Sequence, residues 1–266
     1  KPINLGSKIN TQGDEYTPFL HYDNETFYFS SNGHPSFGGF DLYTANMNSQ
    51  FIFDSIYNLG YPINTHNDES GLIVSKNGIK SYYNSNVNGN LDIYEFNMPS
   101  RFAANESVSI NGFIIDSISR LGLSADIYVS DLDNEWSSII STNKYGEFAF
   151  STPLNSNFSI SISSKKYDYF YNEYLLKDDI LNKTINIVLN RLKIGNKINL
   201  DNIYYDFDDY SLKESSLIEL KRFANYLILN SSLIIEIGGH TDNIGSAQYN
   251  YNLSRKRAES VYRQLI

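Results

Sequence analysis

The chain of 266 residues carries 21 basic against 30 acidic side chains, and its formal net charge of −9 opposes phosphate backbones and excludes nucleic acid as a general partner. Cysteine is absent, which excludes disulfide frameworks, thiolate metal sites and cysteine nucleophiles. The length accommodates roughly one to three domains, and an aromatic content of 15%, led by 22 Tyr, favours strands over most of it.

No stretch approaches the roughly 18 consecutive apolar residues of a membrane helix. Lys1-Pro2-Ile3-Asn4 lacks the basic and apolar regions of a signal peptide. Because patterned sequence begins at once, the chain is expected to be an excerpt of a longer, processed protein whose export signal lies upstream.

The first hundred residues contain a repeat. Leu5-Gly6-Ser7-Lys8-Ile9-Asn10-Thr11 returns as Leu59-Gly60-Tyr61-Pro62-Ile63-Asn64-Thr65, and Asp14-Glu15 returns as Asp68-Glu69, both at an offset of 54; Asp41 matches Asp92 at an offset of 51. A period near 50 is the signature of a repeat architecture. Alternating runs such as Thr26-Phe27-Tyr28-Phe29-Ser30, separated by Asn, Gly and Asp turns, predict a four-stranded antiparallel sheet in each unit. The units resemble TolB-type β-propeller blades in their Asp-Glu start, Asn-Gly turn and Asp-Leu-Tyr-like end. That resemblance implies two blades over residues 1–100, part of an all-β propeller whose other blades lie outside the chain, since a ring takes about four to eight.

A polar linker is expected at 100–106, followed by an all-β sandwich over 107–191. Its seven predicted strands are Val108–Ile110, Phe113–Ile115, Asp126–Val129, Ser138–Ser141, Phe148–Phe150, Phe158–Ile162 and Thr184–Leu189. The hairpin Thr142-Asn143-Lys144-Tyr145-Gly146-Glu147-Phe148 is similar to that of carboxypeptidase-regulatory-like domains, which serve as spacers. Tyr167-Asp168-Tyr169-Phe170-Tyr171 reads as an aromatic strand packing on the sandwich rather than as a binding patch.

From Lys197 the pattern becomes strand, helix, strand, helix, an α/β (α+β) unit over 197–266. Ile198–Leu200 and Ile203–Phe207 alternate as strand, and Ser211-Leu212-Lys213-Glu214 has capping-box spacing. Leu217, Leu220, Phe223, Ala224, Leu227 and Ile228 then form one apolar stripe, which Asn230 ends. Leu233–Ile237 predicts a second strand, parallel to the first through a right-handed crossover, and a second helix is predicted from Ser246 through Leu265.

Asn202-Ile203-Tyr204-Tyr205-Asp206-Phe207-Asp208, Gly239-His240-Thr241-Asp242 and Asn250-x-x-Leu253-Ser254-x-x-Arg257-Ala258 together resemble OmpA-like peptidoglycan-binding domains, Tyr205 standing in place of a Phe. The family domain continues beyond this helix with further strands and a helix, so the chain is expected to hold about its first two-thirds. The resemblance implies a groove for the meso-diaminopimelate of a peptidoglycan stem peptide. Asp242 would accept from the ligand's ammonium, and Arg257 would hold its carboxylate by two parallel hydrogen bonds. Asn250 lies seven residues before Arg257 and so on its helix face; it would buttress the loop or donate to the ligand. Thr241 and Asp208 would border the groove, and amides near Leu212 would contribute donors. His240 is read as a packing or turn residue.

Asp206 and Asp208 have no histidine or carboxylate at ligand spacing, so neither metal nor cofactor is expected. There is no Gly-x-Ser-x-Gly elbow, no His-Glu-x-x-His helix and no pairing among His21, His34, His66 and His240, so no enzyme is expected either. The resemblance implies a non-catalytic envelope anchor in the periplasm, associated with the outer membrane. Its implied partners are peptidoglycan and outer-membrane or secretion-system proteins, as in Bacteroidota proteins of this layout that serve type IX secretion. The alternative is a structural adhesin or scaffold in which Asp242 and Arg257 pair only with each other.

Overall fold

A computed structural model describes residues 2–48, 52–132, 137–176, 182–200, 203–206, 209–241 and 244–266. The first repeat forms β1 (Glu15–Leu20), β2 (Thr26–Ser31), β3 (Asp41–Met47) and β4 (Phe53–Asn58), an antiparallel sheet in that order. The second forms β5 (Glu69–Val74), β6 (Lys80–Ser85) and β7 (Asp92–Asn97).

The repeat in sequence is a repeat in hydrogen bonding. Thr11 donates from its amide and hydroxyl to the Glu15 carboxylate at 3.1 and 2.6 Å, and Thr65 does the same to Glu69 at 3.0 and 2.7 Å. Both carboxylates also accept from a β-strand serine, Ser31 and Ser85. Both first strands carry a bulge at the same place. The bulge residues Thr17 and Gly71 have φ of 48° and 68°, and the Thr17 hydroxyl accepts from the Gly71 amide at 3.0 Å. Glycine adopts that backbone freely, whereas a β-branched threonine does so under strain.

The two units form blade-like sheets but no closed propeller, and the second has three strands where four are predicted. One four-stranded and one three-stranded sheet bury Tyr28, Leu42, Leu72, Val74 and Met98 in a common core, and two sheets cannot close a ring. The stretch expected as a polar linker is packed into that core: Ser100–Phe102 is a turn of 3-10 helix, Phe102 and Ala104 are buried, and the Tyr28 hydroxyl donates to the Phe102 carbonyl at 2.7 Å.

His21 and Asp23, both buried, tie these parts together. The His21 ring joins its Nε2 to the Ser75 carbonyl at 2.9 Å, and Asp23 accepts from Thr26, Glu25 and, across 82 residues, the Asn105 amide. Burial raises the Asp23 carboxyl, but the His21 ring, the Thr26 and Glu25 amides and the Thr26 hydroxyl outweigh it and bring the pKa down to about 2. A depressed carboxyl stabilises the fold above its unfolded value of 3.8 and loses that contribution as pH falls toward 2. Asp23→Asn is therefore expected to cost about 2 kcal/mol at pH 6 and progressively less between pH 4 and 2. Urea melts of both proteins across that range check it; a pH-independent gap would refute the carboxylate's role.

Residues 107–189 form a sandwich from β8 (Ser107–Asp116), β9 (Asp126–Asp131), β10 (Ser137–Ser141), β11 (Glu147–Pro153), β12 (Asn157–Ser163), β13 (Phe170–Leu175) and β14 (Asn182–Leu189). The sheets run β10-β9-β12-β13 and β11-β8-β14, with β14 parallel to β8 and the other pairs antiparallel. Two strands predicted separately, around Val108 and Phe113, are the single β8, because Asn111 and Gly112 continue the ladder with β11 and β14. The seventh strand is β13, which takes up the end of the aromatic run. Inward residues such as Val108, Ile110, Ile127, Phe158 and Ile160 are buried, each stabilising by roughly 1.5–3 kcal/mol relative to exposure.

The C-terminal region departs from its predicted α/β form. Two helices appear, α1 (Glu214–Leu229) and α2 (Ala247–Leu265), but the described residues of 198–206 and 233–237 form no strand; an isolated bridge pairs Tyr205 with Leu212. A strand needs a neighbour to take its backbone groups, and Ile234 is 100% exposed, so no burial on its face supports the extended run. The architecture is thus predominantly sheet on sheet, with two helices near the C-terminus.

Candidate ligand-binding site

Helix α2 carries two of the residues the sequence singles out, Asn250 and Arg257. Ser246 is its N-cap, with a side chain that accepts from the Tyr249 amide at 3.2 Å. Asn250 and Arg257, two turns apart, are both half-buried on one face. Gly239 brings the preceding loop against that helix, since a Cβ there would stand 2.2 Å from the Ser254 carbonyl oxygen. Gly239→Val is accordingly expected to push the loop off α2, costing about 1–3 kcal/mol locally, visible as faster hydrogen exchange in α2 with the sandwich unchanged. Equal exchange would mean that the loop is not held there.

Arg257 is positioned from three sides. Its Nε donates to the Asp209 carbonyl at 3.0 Å, its guanidinium lies 4.8 Å from the centre of the Tyr205 ring, and the Tyr205 hydroxyl donates to the Arg257 carbonyl at 3.1 Å. Among the described residues neither terminal nitrogen of Arg257 meets a protein acceptor. The guanidinium is therefore fixed in orientation, and its planar fork has the geometry a carboxylate matches with two parallel bonds.

Asp209 closes the other side. The Ser211 and Tyr210 amides, with lesser help from the Ser211 hydroxyl and the nearby Arg257, hold its carboxyl below the ordinary range against an opposing contribution from desolvation. Asp206 pairs instead with Lys213 at 2.7 Å.

The structure thus sets Asn250 and Arg257 on one face of α2, with Gly239 packed against the same helix. Asp242 and Asp208 lie outside the described residues. Asn250 packs near the loop, its Oδ1 being 3.4 Å from where a Cβ on Gly245 would stand. The capping box is not formed: α1 starts at Glu214 with Lys213 as N-cap and no side-chain cap, while Ser211 binds Asp209. Leu212 lies before the helix, bridged to Tyr205, rather than at its first turn. His240 is exposed. Sequence reasoning missed Tyr205 and Asp209 as supports of Arg257. The available signal was the Tyr at the position where the resembling domains carry Phe, which keeps a ring for stacking and adds a donor.

Residues 204–266 match the model of the OmpA family. Among relatives, the outer membrane porins F of Pseudomonas fluorescens and Pseudomonas aeruginosa are each 34% identical over 70 residues, 26% of this chain and 21% and 20% of theirs. The peptidoglycan-associated lipoprotein of Buchnera aphidicola is 30% identical over 119 residues, 41% of this chain and 66% of that protein. The chain thus spans about a fifth of the length of these porins. The segment from Tyr204 to Ile266, with Arg257 mounted on its second helix, is thus similar to the OmpA family.

Proposed function

We propose that the chain is a non-catalytic envelope anchor that binds peptidoglycan through its C-terminal segment, at the periplasmic side of the outer membrane. The observation that carries this reading is the Arg257 guanidinium, oriented by the Tyr205 ring and the Asp209 carbonyl. Kinship with a peptidoglycan-associated lipoprotein supports the choice of ligand. Arg257 takes the carboxylate of meso-diaminopimelate and Asp242 its ammonium, while Asn250, Thr241 and Asp208 shape the groove. No metal or cofactor takes part.

The sheet-rich part of the chain faces protein partners and links an outer-membrane or secretion complex, of the type IX kind, to the wall. The sandwich serves as a spacer, in keeping with its regulatory-like hairpin. The test is co-sedimentation of the chain with purified sacculi, for wild type, Asp242→Ala and Arg257→Ala. Retention is expected to fall in both variants, and free meso-diaminopimelate, but not lysine, is expected to compete. Undiminished retention of both variants would favour the alternative, a scaffold without peptidoglycan binding.

A further inference from the structure

A second site lies away from Arg257, where the sandwich hands over to the C-terminal region. After β14 the chain makes a short arch, Arg191–Lys197, with a turn closed by the Asn196 amide donating to the Lys193 carbonyl at 3.2 Å. Both ends of the arch are fixed, since Leu192 and Ile198 pack on the core of Tyr169, Phe223 and Tyr226. Arg191 also pairs as a bridge with Tyr167, and the Asp168 amide donates to the Asn190 carbonyl at 2.9 Å. Between the arch and the turn at Ser117 is a cleft of about 300 Å³, lined almost wholly by polar side chains, with Arg191, Lys193 and Lys197 around it.

The charges in this cleft are unbalanced in an acidic chain. Its two nearby carboxylates are already engaged by donors. Asp116 accepts from the Ile118 and Ser119 amides, the Tyr167 hydroxyl and Arg191 Nε, all within 2.6–2.8 Å. The Asn196 amide group donates to both oxygens of Asp168 at 2.8 and 2.9 Å. The ammoniums of Lys193 and Lys197, by contrast, have no carboxylate partner among the described residues. Set against the Asp116 and Asp168 carboxylates, the three cations around this polar hollow leave a net positive charge, which favours an anion.

We propose that this cleft binds a phosphate group, with Lys193 and Lys197 as its principal charge donors and the terminal nitrogens of Arg191 as the third. Separate point charges suit a tetrahedral oxyanion, which has an oxygen for each; a planar carboxylate offers two. Arg191 is oriented by its Nε bond to Asp116, while the two lysines bring their ammoniums to the ligand on flexible stems. Phosphate of this form is supplied either by the free ion or by the headgroup of an anionic lipid. The second source suits a segment that joins the sandwich to a wall-binding region beside a membrane.

The experiment titrates the whole chain and its Lys193→Gln/Lys197→Gln variant with inorganic phosphate by calorimetry. In parallel, both proteins are sedimented with phosphatidylcholine vesicles with and without phosphatidylglycerol. Saturable phosphate binding, weakened at least about tenfold in the double variant and reduced by added salt, is the expected result. Retention on phosphatidylglycerol vesicles that needs both lysines and is competed by phosphate would assign the headgroup as the source; phosphate binding without vesicle retention would assign the free ion. Binding that is absent in the wild type, or equal in the two proteins, overturns the site. The lysines are exposed, so the variant is expected to melt with the wild type. Its sacculus retention should also be unchanged, which separates this site from that of Arg257.

Discussion

Arg257→Lys is expected to reduce retention on sacculi about as far as Arg257→Ala, by roughly ten- to a hundredfold, although it keeps the charge. A charge-assisted hydrogen-bond pair is worth about 1.5–3 kcal/mol, and each 1.4 kcal/mol is a factor of ten. Lysine supplies one ammonium on a flexible stem. It has neither the planar fork for two parallel bonds nor the Nε that binds the Asp209 carbonyl, and it lacks the flat face that rests on Tyr205. Tyr205→Phe preserves the ring and loses the bond to the Arg257 carbonyl, so it should retain most binding, whereas Tyr205→Leu removes the stacking surface and should lose a few-fold. Full retention by Arg257→Lys would mean that only net charge matters at this position, and the two-pronged reading would fail.

The parts of the molecule legible in the sequence are those governed by short-range pattern. The offset of 54 between the repeats reappears as duplicated Thr-Glu-Ser hydrogen bonds and duplicated bulges, because identical residues at identical spacing solve the same local problem. Helix α2 starts next to Ser246, where it is predicted to begin, and ends at Leu265 as predicted. Patterns that need a distant partner were not legible. The run Leu233–Ile237 has strand composition, yet composition does not supply the neighbouring strand. Blade-like sequence likewise specifies a sheet but not a ring. At the candidate site, Arg257 and Asn250 are visible in a motif, while the ring beneath the guanidinium comes from 52 residues upstream and emerges only when the chain is folded.

The buried face of α1 illustrates the same limit and leads to the second large effect. The predicted stripe holds at Leu220 and Phe223, which are buried, but Ile228 is 74% exposed, and the helix also buries Ser216, Glu219, Arg222 and Tyr226, so its buried face is rotated from the predicted one. The rotation brings Glu219 and Arg222 onto the sandwich. Arg222 donates to Ser130 of β9 at 2.7 Å, lies 5.4 Å from the centre of the Tyr128 ring and pairs with Glu219 at 3.4 Å, and Glu219 in turn accepts from the Tyr169 hydroxyl. The hydroxyl of Tyr226 and the side chain of Asn230 then fasten the end of the helix to the loop before β13. Burial, then the Glu219 charge, push the Tyr169 hydroxyl far above its usual titration range, so it stays a donor at any pH the fold survives.

A buried pair of this kind is costly to break and cheap to replace. Arg222→Ala is expected to destabilise the docked helix by about 3–5 kcal/mol, because it leaves the Glu219 carboxylate buried with less compensation. The apolar pair Glu219→Leu/Arg222→Met should recover most of that loss, the remaining defect being the unpaired Tyr169 and Ser130 hydroxyls. Hydrogen exchange of the α1 amides reads the effect directly, since the helix is the element that would leave the sandwich while the β8–β14 ladders stay closed. If the double replacement were as damaging as Arg222→Ala, the network would be stabilising through its hydrogen bonds rather than by satisfying a buried charge. Recovery in the double variant would assign the polar network to orienting α1 on the sandwich, and with it the segment that presents Arg257.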